Sequence, residues 1–140
     1  SLLRHPEAVS PLSELSEGSF QELIGDRTEC QRVVLCTGKV YYDLLSARKE
    51  QNVSLIRLEQ LYPFPLEALK IELTKNPGAE LVFCQEEPKN MGAWWFILQN
   101  LLDAGIPVRY VGRPASASPA TGYPGRHQAE QQALVTNALS

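Results

Sequence analysis

Two adjacent carboxylates, Glu86 and Glu87, are the side chains in this sequence best placed to do chemistry. They follow the apolar run Leu81–Cys84, which has the pattern of a strand buried on both faces and which Pro88 is expected to end. An apolar, helical segment then starts near Ala93. The carboxyl end of such a strand is the usual ligand edge of an open α/β sheet. The alternative is that both carboxylates are solvated loop charges, or partners of nearby Arg and Lys side chains.

A second candidate site is the loop predicted over residues 112–122, which is built mainly of small residues and Pro. Small residues let a ligand approach the backbone N–H groups, and an Arg side chain can pair with a phosphate through two hydrogen bonds. The alternative is a rigid Pro/Ser loop that packs against another domain. The residues that would contact a ligand in the first case are Arg113, Ser116, Ala117, Ser118 and Thr121 in the loop and Arg126 beyond it.

No spacing in the sequence indicates a catalytic or metal centre. His5 and His127 are far apart and belong to no nucleophile-and-base motif, so surface or interface positions are expected for both. Cys30, Cys36 and Cys84 match no zinc pattern and are expected to be free thiols, as in a reducing cytosol or mitochondrial matrix. We therefore predict neither catalytic nor metal-ligating residues in this chain.

The composition is that of a folded domain without nucleic-acid or membrane partners. With 140 residues, of which 44% are hydrophobic, the chain is long enough to bury a core of its own. The net charge of -3 argues against a nucleic-acid-binding surface. No apolar run approaches the length of a membrane span, and the N-terminus lacks the basic-then-apolar pattern of a signal peptide.

Apolar runs alternate with helical periodicity from residue 32 onward, and these elements must position the candidate sites. Strands that alternate with helices imply a parallel sheet with helices on both faces. The third and fourth strands are expected to be neighbours, so the loops 85–89 and 113–121 should face each other at one edge. The predicted strands are 33–36, 53–58, 81–84 and 108–111, and the predicted helices are 40–49, 66–74, 94–104 and 128–139.

The first part of the chain lacks this regularity. Residues 1–29 are interpreted as an N-terminal arm and linker from a preceding domain, with a possible edge strand at 19–24. Residues 30–140 are interpreted as the α/β domain itself. The chain is therefore expected to be a fragment of a longer protein.

Four motifs resemble one known family in composition and order. They are VVLCTGKVYYDLL, IRLEQLYPFP, CQEEPKNMGAWWF and RYVGRPASASPATG, and the opening SLLRHPEAVSPLSEL fits the same pattern. Together they cover nearly the whole chain and resemble the C-terminal end of the E1 component of 2-oxoglutarate dehydrogenase. The actinobacterial 2-oxoglutarate decarboxylase has a similar pattern, and the 2-oxoadipate relative is less similar.

The resemblance implies a fold like the C-terminal domain of transketolase. This is a three-layer α/β domain whose open, mostly parallel sheet has one antiparallel edge strand, here assigned to Phe20–Ile24. The implied parent enzyme decarboxylates 2-oxoglutarate with thiamine diphosphate and Mg²⁺ and passes the succinyl group to a lipoyl domain of the E2 succinyltransferase. That chemistry belongs to two preceding domains, so this chain alone is expected to be inactive and to retain no cofactor. The parent would be cytoplasmic in a bacterium and in the mitochondrial matrix in a eukaryote.

The resemblance also implies a dimerisation and regulatory module within a homodimeric E1, and some relatives bind AMP or acetyl-CoA near this domain. The implied effector site lies between the 85–89 and 113–121 loops, with Arg113 and Arg126 on a phosphate. Glu86 and Glu87 would hold Arg113 or accept hydrogen bonds from a ribose or an amine.

Three functions remain open at this point. The chain is a purely structural E1 domain, an effector-binding module for an adenine nucleotide or CoA ester that could stand alone, or an independent small α/β enzyme. Apolar surface at the Tyr62–Phe64 loop, the Trp94-Trp95 pair and the Leu2-Leu3 arm is expected to contact other domains or subunits.

Overall fold

The computed structural model of the chain describes residues 23, 25–117 and 124–140. Within these residues, four strands alternate with four helices. The strands are β1 (Arg32–Cys36), β2 (Val53–Arg57), β3 (Glu80–Pro88) and β4 (Arg109–Arg113). The helices are α1 (Val40–Arg48), α2 (Leu66–Thr74), α3 (Trp94–Asp103) and α4 (Pro124–Leu139).

The strands form one parallel sheet in the order β2-β1-β3-β4. Val34, at the centre of β1, pairs with Leu55 on one side and with Val82 on the other. Each connection between consecutive strands contains a helix, as crossovers between parallel strands usually do. The predicted parallel sheet is confirmed, including the neighbouring positions of β3 and β4.

The two faces of the sheet bury separate apolar clusters, which makes the domain three-layered. Successive strand residues point to opposite faces. Val34 therefore packs against α1 and α4, whereas Val33 and Leu35 pack against α2 and α3. Helix α4 contributes Leu134 to the first cluster, and α3 contributes Ile97 to the second. This burial on both faces explains why β1 and the first half of β3 are continuously apolar.

Both strands at the candidate ligand edge extend further than predicted. Strand β3 continues to Pro88, so Glu86 and Glu87 lie in a strand rather than in a loop, and β4 includes Arg113. Pro88 pairs with Arg113 after a register shift that follows Cys84. The expectation that Pro88 ends the pairing was wrong, because an irregular register tolerates a residue without an N–H group.

The helix boundaries agree closely with the sequence prediction except at α4. Helix α2 spans the predicted Leu66–Thr74, and α3 ends at Asp103, one position before the predicted end. Helix α4 begins at Pro124 rather than at Gln128. Because the first turn of a helix leaves its N–H groups unpaired in any case, Pro is favoured there.

Residues 25–31 form hydrogen bonds with β2, with the end of α1 and with the residue after α2. The carboxylate of Asp26 accepts hydrogen bonds from the backbone N–H of Leu55 at 3.0 Å and from the guanidinium of Arg48 at 2.8 Å. The antiparallel strand predicted at 19–24 lies outside the described residues, except for Leu23, whose side chain is buried. The boundary between linker and domain at residue 30 stays a prediction.

Candidate functional site

The chain turns from β3 into α3 around the buried side chain of Gln85. Its amide nitrogen donates to the carbonyl oxygens of Pro88 at 2.9 Å and Met91 at 2.8 Å. Its amide oxygen accepts from the backbone N–H groups of Ala93 at 3.2 Å and Trp94 at 3.0 Å. The side-chain oxygen of Gln85 therefore accepts hydrogen bonds from the N–H groups at the start of α3, which have no partner within the helix. Sequence reasoning placed this residue among loop polar groups and missed its role.

The turn before α3 contacts the loop after β4. The side chain of Asn90 accepts from the backbone N–H of Ser116 at 3.0 Å and donates to its carbonyl oxygen at 2.9 Å. The backbone N–H of Lys89 donates to the carbonyl oxygen of Pro114 at 3.4 Å. The two segments thus face each other at the carboxyl edge of the sheet, as the neighbouring positions of β3 and β4 require.

Arg113 lies beneath this contact, and only 6% of its surface is exposed. Its guanidinium donates to the Glu130 carboxylate at 3.1 Å, to the carbonyl oxygen of Glu86 at 2.5 Å and to the carbonyl oxygen of His127 at 3.2 Å. These three acceptors belong to α4 and β3, while Arg113 itself ends β4. The side chain therefore joins three elements at the point where the candidate site was expected.

Glu130 pairs with two guanidinium groups at once. One carboxylate oxygen contacts Arg113, and the other contacts Arg126 at 3.2 Å. The side chain of Arg126 is 68% exposed. Because one carboxylate faces two guanidinium groups, this part of the edge keeps a positive charge that is open to solvent at Arg126. Glu130 was missed by the sequence reasoning, although its position four residues after Arg126 on a helix was a usable signal.

The side chains of Glu86 and Glu87 have different surroundings. The Glu86 carboxylate accepts from Lys39 at 3.1 Å and from the Gln131 amide at 3.0 Å. It is the backbone carbonyl of Glu86, and not its carboxylate, that holds Arg113. Glu87 is exposed. Glu130 therefore supplies the carboxylate contact to Arg113 that was expected from Glu86 or Glu87.

The remaining predicted site residues are only partly within the described chain. Ser116 and Ala117 are exposed and follow β4. Ser118 and Thr121 lie outside the described residues. The structure thus brings Arg113, Arg126, Glu86 and Ser116 to one edge of the sheet.

Tyr110 contacts both β4 and the start of α3 at the same edge of the sheet. Its hydroxyl donates to the carbonyl oxygen of Arg113 at 2.5 Å, and its ring lies 5.1 Å from that of Trp94. Burial is the main cause that raises the pKa of Tyr110 to about 12, and the nearby carboxylate of Glu87 adds to the increase. The tyrosine is therefore neutral at physiological pH and acts as a hydrogen-bond donor that fixes the end of β4.

Strands β1 and β3 each carry one buried thiol, Cys36 and Cys84. Cys36 and Cys84 are register partners on neighbouring strands, and both are free. Burial raises the pKa of both thiols, that of Cys84 to about 12, so neither forms the reactive thiolate at neutral pH. Within the described ranges, no cluster of His, Cys, Asp and Glu side chains could hold a metal ion. In the same ranges, no helix is long and apolar enough to span a membrane.

Comparison with solved structures establishes the class of fold. A chain described as "Split gene transketolase, inactive beta4 tetramer" superposes with a TM-score of 0.57 at 19% sequence identity. The match covers 80% of this chain and 40% of that chain. The domain therefore has a transketolase C-terminal-domain-like fold, as the sequence predicted.

Sequence comparison identifies the family within that class. Residues 9–139 match the family described as 2-oxoglutarate dehydrogenase C-terminal, and the chain belongs to this family. The 2-oxoglutarate dehydrogenase E1 components of Cupriavidus necator and Haemophilus influenzae are 50% and 51% identical to it over 100% of its length. That of Brucella anthropi is 49% identical over 99%. The chain spans 16% of the length of each of these relatives.

Proposed function

We propose that the chain serves as the C-terminal structural and dimerisation domain of a 2-oxoglutarate dehydrogenase E1 component. The observation that carries the proposal is the match to three E1 components over essentially the whole chain. The complete enzyme would decarboxylate 2-oxoglutarate with thiamine diphosphate and Mg²⁺ and pass the succinyl group to the E2 lipoyl domain. The present domain would hold the catalytic domains and the second subunit in place and contribute no catalytic residue. The complete enzyme would act in the bacterial cytoplasm or the mitochondrial matrix.

A chimaeric enzyme tests this proposal. The E1 component of Cupriavidus necator, with its own C-terminal region replaced by this chain, should decarboxylate 2-oxoglutarate and succinylate its E2 partner. The same E1 without that region should lose this activity, and the isolated chain should show neither turnover nor binding of thiamine diphosphate. A folded chimaera without activity, or turnover by the isolated chain, would contradict the proposal.

We further propose that the carboxyl edge between the turn before α3 and the loop after β4 binds the phosphate of AMP or acetyl-CoA. The supporting observation is the uneven charge balance, because Glu130 alone faces both Arg113 and Arg126. Arg126 is exposed and would pair directly with the phosphate, while buried Arg113 would hold the binding loop in position. The backbone of Ser116 to Ser118, with Thr121, would complete the cradle, and Glu86 and Glu87 would accept from a ribose or an amine.

Calorimetry on the chimaeric enzyme tests the effector site. Replacement of Arg126 by Ala should weaken the binding of AMP or acetyl-CoA about tenfold, the value of one charge-assisted hydrogen bond. Lys70→Ala, which removes an exposed cation on α2, is the matched control and should leave the affinity unchanged. Equal affinity in wild type and Arg126→Ala would remove Arg126 from the site. Binding by the isolated chain would favour the alternative of a stand-alone regulatory module.

A further inference from the structure

The turn between α1 and β2 has a strained backbone. We call residues 49–52, which join the two elements, the α1–β2 turn. Lys49 has a φ of 53° and a ψ of -115°, angles that glycine adopts readily and other residues rarely adopt. The backbone N–H of Gln51 donates to the carbonyl oxygen of Arg48 at 3.1 Å and closes the turn. Lysine therefore occupies a position at which a turn of this geometry favours glycine.

Residues 25–31, which we call the strap, contact this turn. The guanidinium of Arg27 donates to the carbonyl oxygens of Lys49 at 3.1 Å and Gln51 at 2.7 Å. Hydrogen bonds from a charged donor are stronger than those between neutral groups. The strap therefore fixes the directions of two carbonyl groups in the α1–β2 turn, and with them the backbone angles of the turn.

The strap itself contains a second residue with a left-handed backbone. Glu29 has a φ of 58°, and among the described residues it and Lys49 are the only ones other than glycine with a positive φ. The backbone N–H of Glu29 donates to the carbonyl oxygen of Lys75, just after α2, at 2.8 Å. Strained backbone persists only where the surrounding contacts hold it, and it is concentrated at clamps and switch regions. The strain of non-glycine residues in the described chain is thus confined to the strap and to the turn that it contacts.

We propose that the strap is a latch, which keeps the α1–β2 turn in its strained form and lets the turn relax when the strap is displaced. The strap follows directly on the residues before 25, so a displacement of that part of the chain acts first on the contacts of Arg27. Without these contacts Lys49 returns to ordinary backbone angles, and the N–H groups of Gln51 and Val53 lose their hydrogen bonds within the turn. In the described sheet β2 is an edge strand, so this change meets a neighbouring strand on one side only. The inference does not depend on the proposed enzyme activity.

Hydrogen exchange on the 140-residue chain tests the latch. Arg27→Met removes both guanidinium contacts and should raise the exchange rates of the Gln51 and Val53 N–H groups about tenfold, the value of one charge-assisted hydrogen bond. The N–H of Val82, which is fully buried in the interior strand β3, reports the unfolding of the whole domain and should change less. Arg126→Met, which removes an exposed guanidinium on α4, is the matched control and should leave all three rates unchanged.

Relief of the strain at Lys49 distinguishes a latch from an ordinary stabilising contact. Lys49→Gly permits the same backbone angles without strain, so it should slow the exchange of the Gln51 and Val53 N–H groups. In this background the turn keeps its form without the strap, and Arg27→Met should raise the two rates less than about threefold. Glu50→Gly places glycine at the next position of the turn, where φ is not positive, and should leave the tenfold effect of Arg27→Met intact.

Three results would overturn the latch. The first is unchanged exchange of the turn in Arg27→Met. The second is an equal rise in the wild-type and Lys49→Gly backgrounds, which would make Arg27 a stabilising contact without a link to the strain. The third is an equal rise at Val82, which would mean that Arg27 acts on the stability of the whole domain. The activity of the chimaeric enzyme tests the proposed function separately from all three.

Discussion

Arg113 shows how a single side chain defines the carboxyl edge of this domain. It ends β4, and its guanidinium contacts the backbone of β3 and both the side chain and the backbone of α4. A guanidinium has five donors in a fixed plane, so it can satisfy several acceptors that no lysine could reach together. Because Arg113 is buried, it joins these elements and has little surface open to solvent. In the proposed effector site the exposed partner of the same carboxylate, Arg126, would contact the ligand.

We predict that Arg113→Met lowers the free energy of unfolding by about 3 kcal/mol. The substitution removes one partner of a buried ion pair and leaves backbone acceptors without donors. Urea denaturation should show an earlier midpoint with an unchanged slope. Arg126→Ala breaks an exposed pair with the same Glu130 and should cost less than about 1 kcal/mol. A similar loss in both variants would contradict a structural role that is specific to Arg113.

Two positions of the turn between β3 and α3, Gln85 and Gly92, are narrowly constrained by the structure. Gln85 uses both ends of its amide, and Gly92 lies directly against it with a φ of +69°. A Cβ atom at Gly92 would lie 2.9 Å from the amide oxygen of Gln85. The turn therefore needs glycine for two reasons, namely a left-handed backbone and the lack of space for a side chain.

The two reasons can be separated by comparing two glycines. Gly78 has a φ of +77° and nothing within 4 Å of its added Cβ, so Gly78→Ala should cost only the left-handed conformation, about 1–2 kcal/mol. Gly92→Ala should cost at least about 1 kcal/mol more, because it also displaces the amide of Gln85 from buried N–H groups. The measurement is the difference in the free energy of unfolding by urea. Equal losses would show that Gln85 moves aside without penalty.

The whole molecule depends on contacts between segments that are far apart in sequence. Asp26 joins the segment before β1 to the edge strand β2 and to α1. Burial raises the pKa of the Asp26 carboxyl, but the hydrogen bonds from Arg48 and Leu55 and the charge of Arg48 outweigh burial and hold this pKa below its ordinary value of 3.8. The ionised form is therefore favoured by folding.

A carboxyl group with a lowered pKa stabilises the fold above its unfolded-state pKa and loses that contribution as the pH falls through its folded-state pKa. We therefore expect the free energy of unfolding to fall from about pH 5 downward, with part of the fall due to Asp26. Asp26→Asn should lower the stability at neutral pH and reduce the acid-dependent fall. Asp103→Asn, which removes an exposed carboxylate on α3, is the control and should leave the stability at neutral pH unchanged. Identical profiles for Asp26→Asn and the wild type would contradict this role.

Local patterns in the sequence were enough to predict the class of fold and the positions of most elements. The apolar run of β1, the helical spacing of α1 and the proline at position 65 before α2 are local signals, and the structure confirms the elements that they predict. Burial on both faces and helix propensity act between residues close together in the chain, so a single stretch carries the information. Four motifs in order were also enough to identify the family.

Which polar groups meet at the carboxyl edge depends on the packing of the whole domain. Arg113 contacts Glu130, Asn90 contacts Ser116, and the β3–β4 pairing resumes at Pro88 only after a register shift. Each of these contacts joins residues on different elements, and their partners are set by the strand order and by the docking of α4. A charged side chain has many possible partners of similar local compatibility. The choice among them is made by the packed core, which brings distant segments within hydrogen-bond distance in one arrangement.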